Sequence, residues 1–136
     1  PPPPPPPPPP TPTPLLFFFI YSLHRHIDIH FVTLRVILTI TLKHVGNLPQ
    51  QFMGHNWVLS TTEDMMPLTG VSMQAGAPNY LPENDSRVIA ATEMIGGGQE
   101  SSVTFDISAL NSSTEYTYFC TFPGHYGLMK GVLIVS

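Results

Sequence analysis

The chain opens on ten consecutive prolines, and Thr-Pro-Thr-Pro carries the run to Pro14. Proline has no amide donor and a fixed φ. Residues 1–14 are therefore expected as polyproline II, outside any packed core. The apolar stretch LLFFFIYSL (Leu15 to Leu23) follows. It has the length of a signal-peptide core, without a preceding positive charge or a small-residue cleavage site. Residues 1–27 read as a proline-rich and apolar low-complexity segment outside the fold, and residues 28–136 as the one folded domain. The fold must then be built from what comes after the prolines.

Charge is sparse in this remainder. Five Lys plus Arg stand against nine Asp plus Glu, a net charge of −4. That balance argues against a nucleic-acid partner, which calls for a basic face. No stretch reaches the roughly 18 apolar residues of a membrane-spanning helix, so no stable membrane insertion is expected. The single cysteine, Cys120, cannot form an internal disulfide.

From about Asp28 the pattern turns strand-like. In IHFVTLRVILTITLKH, Val36, Leu38, Ile40 and Leu42 share one face, with Thr39 and Thr41 on the other. GNLPQQ is a turn, and HNWVLST a short strand with Trp57 in or near the core. Residues 63 to 82 mix Met, Pro and Gly, which predicts an excursion with one short helix. SRVIAATEMI reads as a strand and GGGQ as a turn. In SSVTFDIS, Val103, Phe105 and Ile107 point inward, with Thr104 and Asp106 outward. EYTYFCTF and KGVLIVS are the last two strands. Short strands separated by turn signals predict an antiparallel, all-β sandwich.

Between those last strands lies FCTFPGHYGLMKG. It offers a soft thiolate at Cys120, an imidazole at His125 and a thioether at Met129. Thiolate and thioether together prefer copper, particularly Cu(I), and imidazole accepts both oxidation states. A blue-copper site takes two histidines, a cysteine and a weak axial methionine. MGHNW supplies His55 as the second histidine. Beside it Gly54 has no side chain, so its carbonyl can approach a metal closely. Such a donor set changes oxidation state with little movement, which favours electron transfer over bond-making chemistry.

NLPQQFMGHNWVLST, DSRVIAATEMIGGG, SVTFDIS and FCTFPGHYGLMKG together resemble the azurin-type blue-copper proteins of the cupredoxin family, over about residues 36 to 136. The resemblance implies a Greek-key β-sandwich of the cupredoxin type binding one copper ion. It implies His55, Cys120 and His125 as planar ligands, Met129 as the weak axial one, and the Gly54 carbonyl opposite. Asn56 corresponds to the residue tying the two ligand loops together, and Phe122 to one packing near the site. Leu48, Phe52, Met53 and Pro123 correspond to a hydrophobic patch around His125, through which redox partner proteins exchange electrons. His44 corresponds to a partly buried histidine beside the site, not a ligand. The family also carries N-terminal strands tied by a disulfide. With Cys120 alone that bridge is absent here, and the strands are expected to be incomplete, with Asp28 to Leu34 supplying part of one. A periplasmic location follows from the resemblance alone.

Three function classes are weighed. The first is a single-copper electron carrier, with copper cycling between Cu(I) and Cu(II). The alternative is a copper-binding or copper-delivery module without an electron-transfer role. An enzyme is not expected, because four protein groups leave little room for substrate and no acid–base pair is evident. Outside the resemblance, HRHIDIH would set His24, His26, Asp28 and His30 on one strand face, a second possible metal site.

Overall fold

A computed structural model describes residues 35–136. The proline run, the Leu15–Leu23 stretch, the His24, His26, Asp28 and His30 group and the expected strand over 28–34 lie outside the described residues.

Strand β1 (Ile37–Lys43) pairs antiparallel with β4 (Glu100–Asp106), from Ile37 opposite Asp106 to Lys43 opposite Glu100. The period-2 alternation holds along both. Thr39, Thr41, Ser102 and Thr104 face water, and their hydroxyls bond across the strands at 2.7 Å (Thr39 to Thr104) and 2.8 Å (Thr41 to Ser102). Leu38, Ile40, Leu42, Val103 and Phe105 face the other way and are half-buried.

The second sheet has four strands in the order β3-β2-β5-β6, all antiparallel. These are β2 (Val58–Thr61), β3 (Ala90–Ala91), β5 (Tyr116–Phe119) and β6 (Lys130–Leu133). Its centre is the core: Val58 and Leu59 are fully buried and Phe119 nearly so. The Trp57 ring lies 5.8 Å from Tyr118 of β5 and 5.9 Å from Phe105 of β4, and so spans the two layers. The two antiparallel sheets make the all-β sandwich that the alternation predicts.

A short helix α1 (Gln50–Met53) precedes the His55 segment. The excursion after β2 differs from expectation. It is helix α2 (Thr62–Ala75), 14 residues long. Thr61 caps it, its hydroxyl accepting from the Asp64 N–H at 3.2 Å and donating to the Asp64 carboxylate at 2.9 Å. Glu63 and Asp64 add favourable charge to the first turn. Gly76, at φ 74°, closes the other end by donating to the Met73 and Ser72 carbonyls. Met65 and Leu68 pack on Val58 and Phe119. Each such fully buried side chain contributes about 1.5–3 kcal/mol. Thr69 and Ser72 also lie on the buried face, and this hides the helical period from a hydrophobicity pattern.

SRVIAATEMI also differs. Only Ala90–Ala91 pairs as a strand. The chain then leaves the β2 ladder and returns at Ile95, which bridges to His55. The alternation in that stretch reflects burial of separate residues, not one continuous strand.

Candidate metal centre

Three loops converge at the end of the four-stranded sheet. The first runs from α1 through Gly54 and His55 into β2. A Cβ on Gly54 would lie 2.7 Å from the Gln50 carbonyl and 3.0 Å from both the Met94 sulfur and the Phe122 ring. Only glycine fits there, which leaves its carbonyl free to approach the imidazoles. The second loop follows β5 and carries Cys120 and His125. It closes on itself: the Cys120 N–H donates to the Met129 carbonyl at 3.0 Å, and the Met129 N–H to the His125 carbonyl at 2.8 Å. Gly124, at φ 80°, takes the left-handed turn that a side chain disfavours. His125 then opens a single 3-10 turn, His125–Gly127. The third loop, residues 92–99, lies alongside the first.

His55, Cys120 and His125 bring one ligand atom each to within 4.8 Å of one another. Cys120 Sγ lies 3.7 Å from His125 Nδ1 and 3.9 Å from the Gly54 carbonyl oxygen. His55 Nδ1 lies 2.8 Å from that same oxygen. Donors that each bind one ion at about 2.0–2.3 Å stand at separations of this order. Two imidazoles and a thiol make a borderline-soft set, which suits copper. Met129 is half-buried and bonded by its backbone to both Cys120 and His125.

The electrostatics prepare the donors unequally. Burial lowers the His55 pKa below its ordinary value, and the nearby His44 lowers it further. Burial likewise lowers that of His125. Both shifts favour the neutral imidazole over the charged one. Burial pushes the Cys120 thiol up. A metal cation is the charge that would draw off its proton.

The surroundings lock this geometry. Asn56 Nδ2 donates to Thr121 Oγ1 at 2.8 Å, and the Thr121 N–H returns to Asn56 Oδ1 at 2.8 Å. This closed pair joins the His55 loop to the Cys120 loop and is buried on both sides. The Phe122 ring packs 4.6 Å from His125 and 5.5 Å from Tyr80. The His44 ring stacks on His55 at 4.2 Å. It accepts from the Gly46 N–H at Nδ1 and donates from Nε2 to the Met53 carbonyl. Both its nitrogens are occupied, so it supports His55 without competing for a metal.

The model of the copper binding proteins, plastocyanin/azurin family, matches residues 28–136. The chain belongs to that family. It is 53% identical over 99 residues to azurin of Pseudomonas fluorescens biotype C, covering 72% of this chain and 77% of that one. It is 54% identical over 99 residues to azurin of Pseudomonas aeruginosa PAO1, covering 72% and 67%. With azurin-1 of Alcaligenes xylosoxydans the identity is 53% over 96 residues, covering 70% and 74%. This family member is a blue-copper electron carrier with one copper ion, acting with redox partner proteins; it is not an enzyme. Nothing supports the delivery alternative. Among the described residues, no helix is long and apolar enough to cross a membrane.

Sequence reasoning missed several neighbours. Thr121, Tyr80 and Thr92 carry no motif, and each is recognised only through a contact made across the fold. Val45, next to His44, and Leu128, three residues after His125, are 96% exposed apolar residues.

Proposed function

We propose that His55, Cys120 and His125 would hold the copper ion, with the Met129 thioether and the Gly54 carbonyl as weaker further donors. The observation that carries this reading is the approach of the Cys120 sulfur, both imidazoles and one carbonyl within a single small region. Bound copper supplies a one-electron couple between Cu(I) and Cu(II). The chain's part is to hold neutral imidazoles in place and exclude water from the thiolate. It also keeps the donors fixed, through the Asn56–Thr121 pair and the packing of Phe122, so that little moves with oxidation state.

Partner proteins dock, in this reading, on an uncharged surface beside His125. Leu48 is half exposed, Phe52 is 66% exposed, and Met53 and Pro123 are half-buried. Val45 and Leu128, both 96% exposed, are further apolar residues of the same two chain segments. It carries no Lys, Arg, Asp or Glu among residues 44–53 and 120–129. Docking there is expected to depend little on salt. The folded domain is assigned to 28–136 and the location to the periplasm, on the similarity to azurins.

The test is Cys120→Ser, followed by visible spectroscopy of the copper-loaded chain. The thiolate-to-copper bond gives the blue absorption, and no second cysteine can replace it. The variant is expected to be colourless. A retained band would overturn the ligand assignment. Met129→Gln and Met129→Leu test the axial position by voltammetry. An amide oxygen favours Cu(II) and lowers the reduction potential, whereas loss of the donor raises it. Shifts of one sign in both variants would remove Met129 from the site.

A further inference from the structure

The segment bearing His55 departs from regular sheet geometry. Continuing the Val58–Ala91 register would set His55 opposite Met94. The bridge pairs it with Ile95 instead, through His55 N–H to Ile95 O at 3.0 Å and Ile95 N–H to His55 O at 2.8 Å. One extra residue is accommodated between Thr92 and Ile95. This is a β-bulge, a device that bends a strand and re-aims the side chains opposite it.

Thr92 stands where the bulge begins and is 5% exposed. Its N–H donates to the Trp57 carbonyl at 2.9 Å. Its hydroxyl accepts from the Trp57 N–H at 2.9 Å, in the place where a regular antiparallel pair returns a second backbone bond. The same hydroxyl donates to the Glu93 carbonyl at 3.1 Å. A side chain thus completes the ladder that the bulge interrupts. Threonine suits the task, because β-branching stiffens χ1 and holds the hydroxyl in one orientation. Asn56 lies between Trp57 and His55, and its own side chain is fixed by Thr121. The His55 backbone is therefore held from both sides, by Thr121 on one and by Thr92 and Ile95 on the other.

We propose that Thr92 is a positioning residue for His55. Its hydroxyl fixes the Trp57 peptide at the bulge, and this sets the direction in which the His55 imidazole and Gly54 carbonyl are presented. The inference rests on the reading of His55 as a metal ligand.

Thr92→Val keeps the shape and removes the hydroxyl. Thr92→Ser keeps the hydroxyl and removes the methyl. In metal-free protein, Thr92→Val is expected to speed exchange of the Trp57 amide by ~10-fold, the loss of one buried hydrogen bond. It is also expected to shift the His55 ring resonances. After copper loading, its visible and paramagnetic resonance spectra should differ from wild type. Thr92→Ser should restore all of these. A valine variant that melts earlier yet keeps wild-type His55 resonances and copper spectra overturns the proposal, leaving a purely structural role. If the valine chain does not fold, the serine variant decides. Altered His55 resonances with unchanged Trp57 amide exchange would mean the hydroxyl does not do the positioning. His55→Ala separates the two readings. A blue spectrum retained there removes His55 as ligand, while the metal-free measurements still test Thr92.

Discussion

Strands β1 and β5 sit in different sheets and bury their side chains to different depths. In β5, Tyr116, Thr117 and Phe119 are all buried. In β1 the inward residues Leu38, Ile40 and Leu42 are only half-buried, and those between them face water. The difference lies in what covers each strand. β5 has α2 packed on one face through Leu68 and Met65, and Trp57 with the β4 layer on the other. The β1–β4 pair has one covered face. Both loops that carry the proposed metal donors grow from the doubly covered sheet, and neither from the ribbon. A redox centre needs donors on elements whose positions are over-determined, and here those elements are β2 and β5.

The largest effect expected on that contrast comes from Phe119→Ala. It should destabilise metal-free protein by about 3–5 kcal/mol, against roughly 1–2 kcal/mol for Ile40→Ala, where the cavity opens toward water. Denaturant unfolding of both variants measures this, and equal losses would erase the distinction. Next come two glycines. A Cβ on Gly131 in β6 would fall on the Tyr118 ring, whereas one on Gly127 meets nothing within 4 Å. Gly131→Ala should cost about 1–3 kcal/mol of overpacking and Gly127→Ala very little. Asn56→Ala leaves Thr121 without its partner and should cost about 1–3 kcal/mol. It should also slow or weaken copper uptake, which no ribbon substitution should do.

A pH series sharpens the same comparison without mutation. The His55 and His125 pKa values are lowered in the folded state, so the unfolded chain binds more protons below about pH 6.5. Stability of the metal-free protein is therefore fully present above pH 6.5 and declines as pH falls toward the folded-state values. Melting temperatures from pH 8 to 5, with and without copper, should diverge, the loaded form losing more, because bound copper would keep its donors deprotonated in the folded chain while the unfolded chain takes up protons. A flat metal-free profile would show that the imidazoles are solvated like free histidine. The smallest effect belongs to the ribbon surface. Thr39→Ala and Thr41→Ala should each cost ~0.2–1 kcal/mol, as exposed cross-strand pairs do.

Some of this was legible in the sequence for a physical reason. Cys120, His125 and Met129 lie on one short loop, so their spacing alone nearly fixes their proximity. β1 and β4 alternate because one face is wet. The rest depends on distant contacts. Thr121 is an ordinary strand-end threonine until Asn56, 65 positions away, closes on it. Thr92 looks like a strand residue because its hydroxyl substitutes for a backbone carbonyl, and the bulge has no glycine to mark it. Helix α2 was foreshortened by Pro67 and by the polar Thr69 and Ser72 on its buried side. Thr69 can be buried because its hydroxyl donates to the Met65 carbonyl at 2.8 Å.

The Asn56–Thr121 closure has a kinetic side. Two parts of the chain 65 residues apart must meet before it can form. Contacts of such separation close late and slow folding. Cys120 and His125, five residues apart, can meet in a barely folded chain. With the proposed donor set, copper present during folding would meet Cys120 and His125 first, and His55 only once β2 has docked on β5. The order in which metal and fold arrive should decide which species forms, and colour would report the moment the two distant halves of the molecule join.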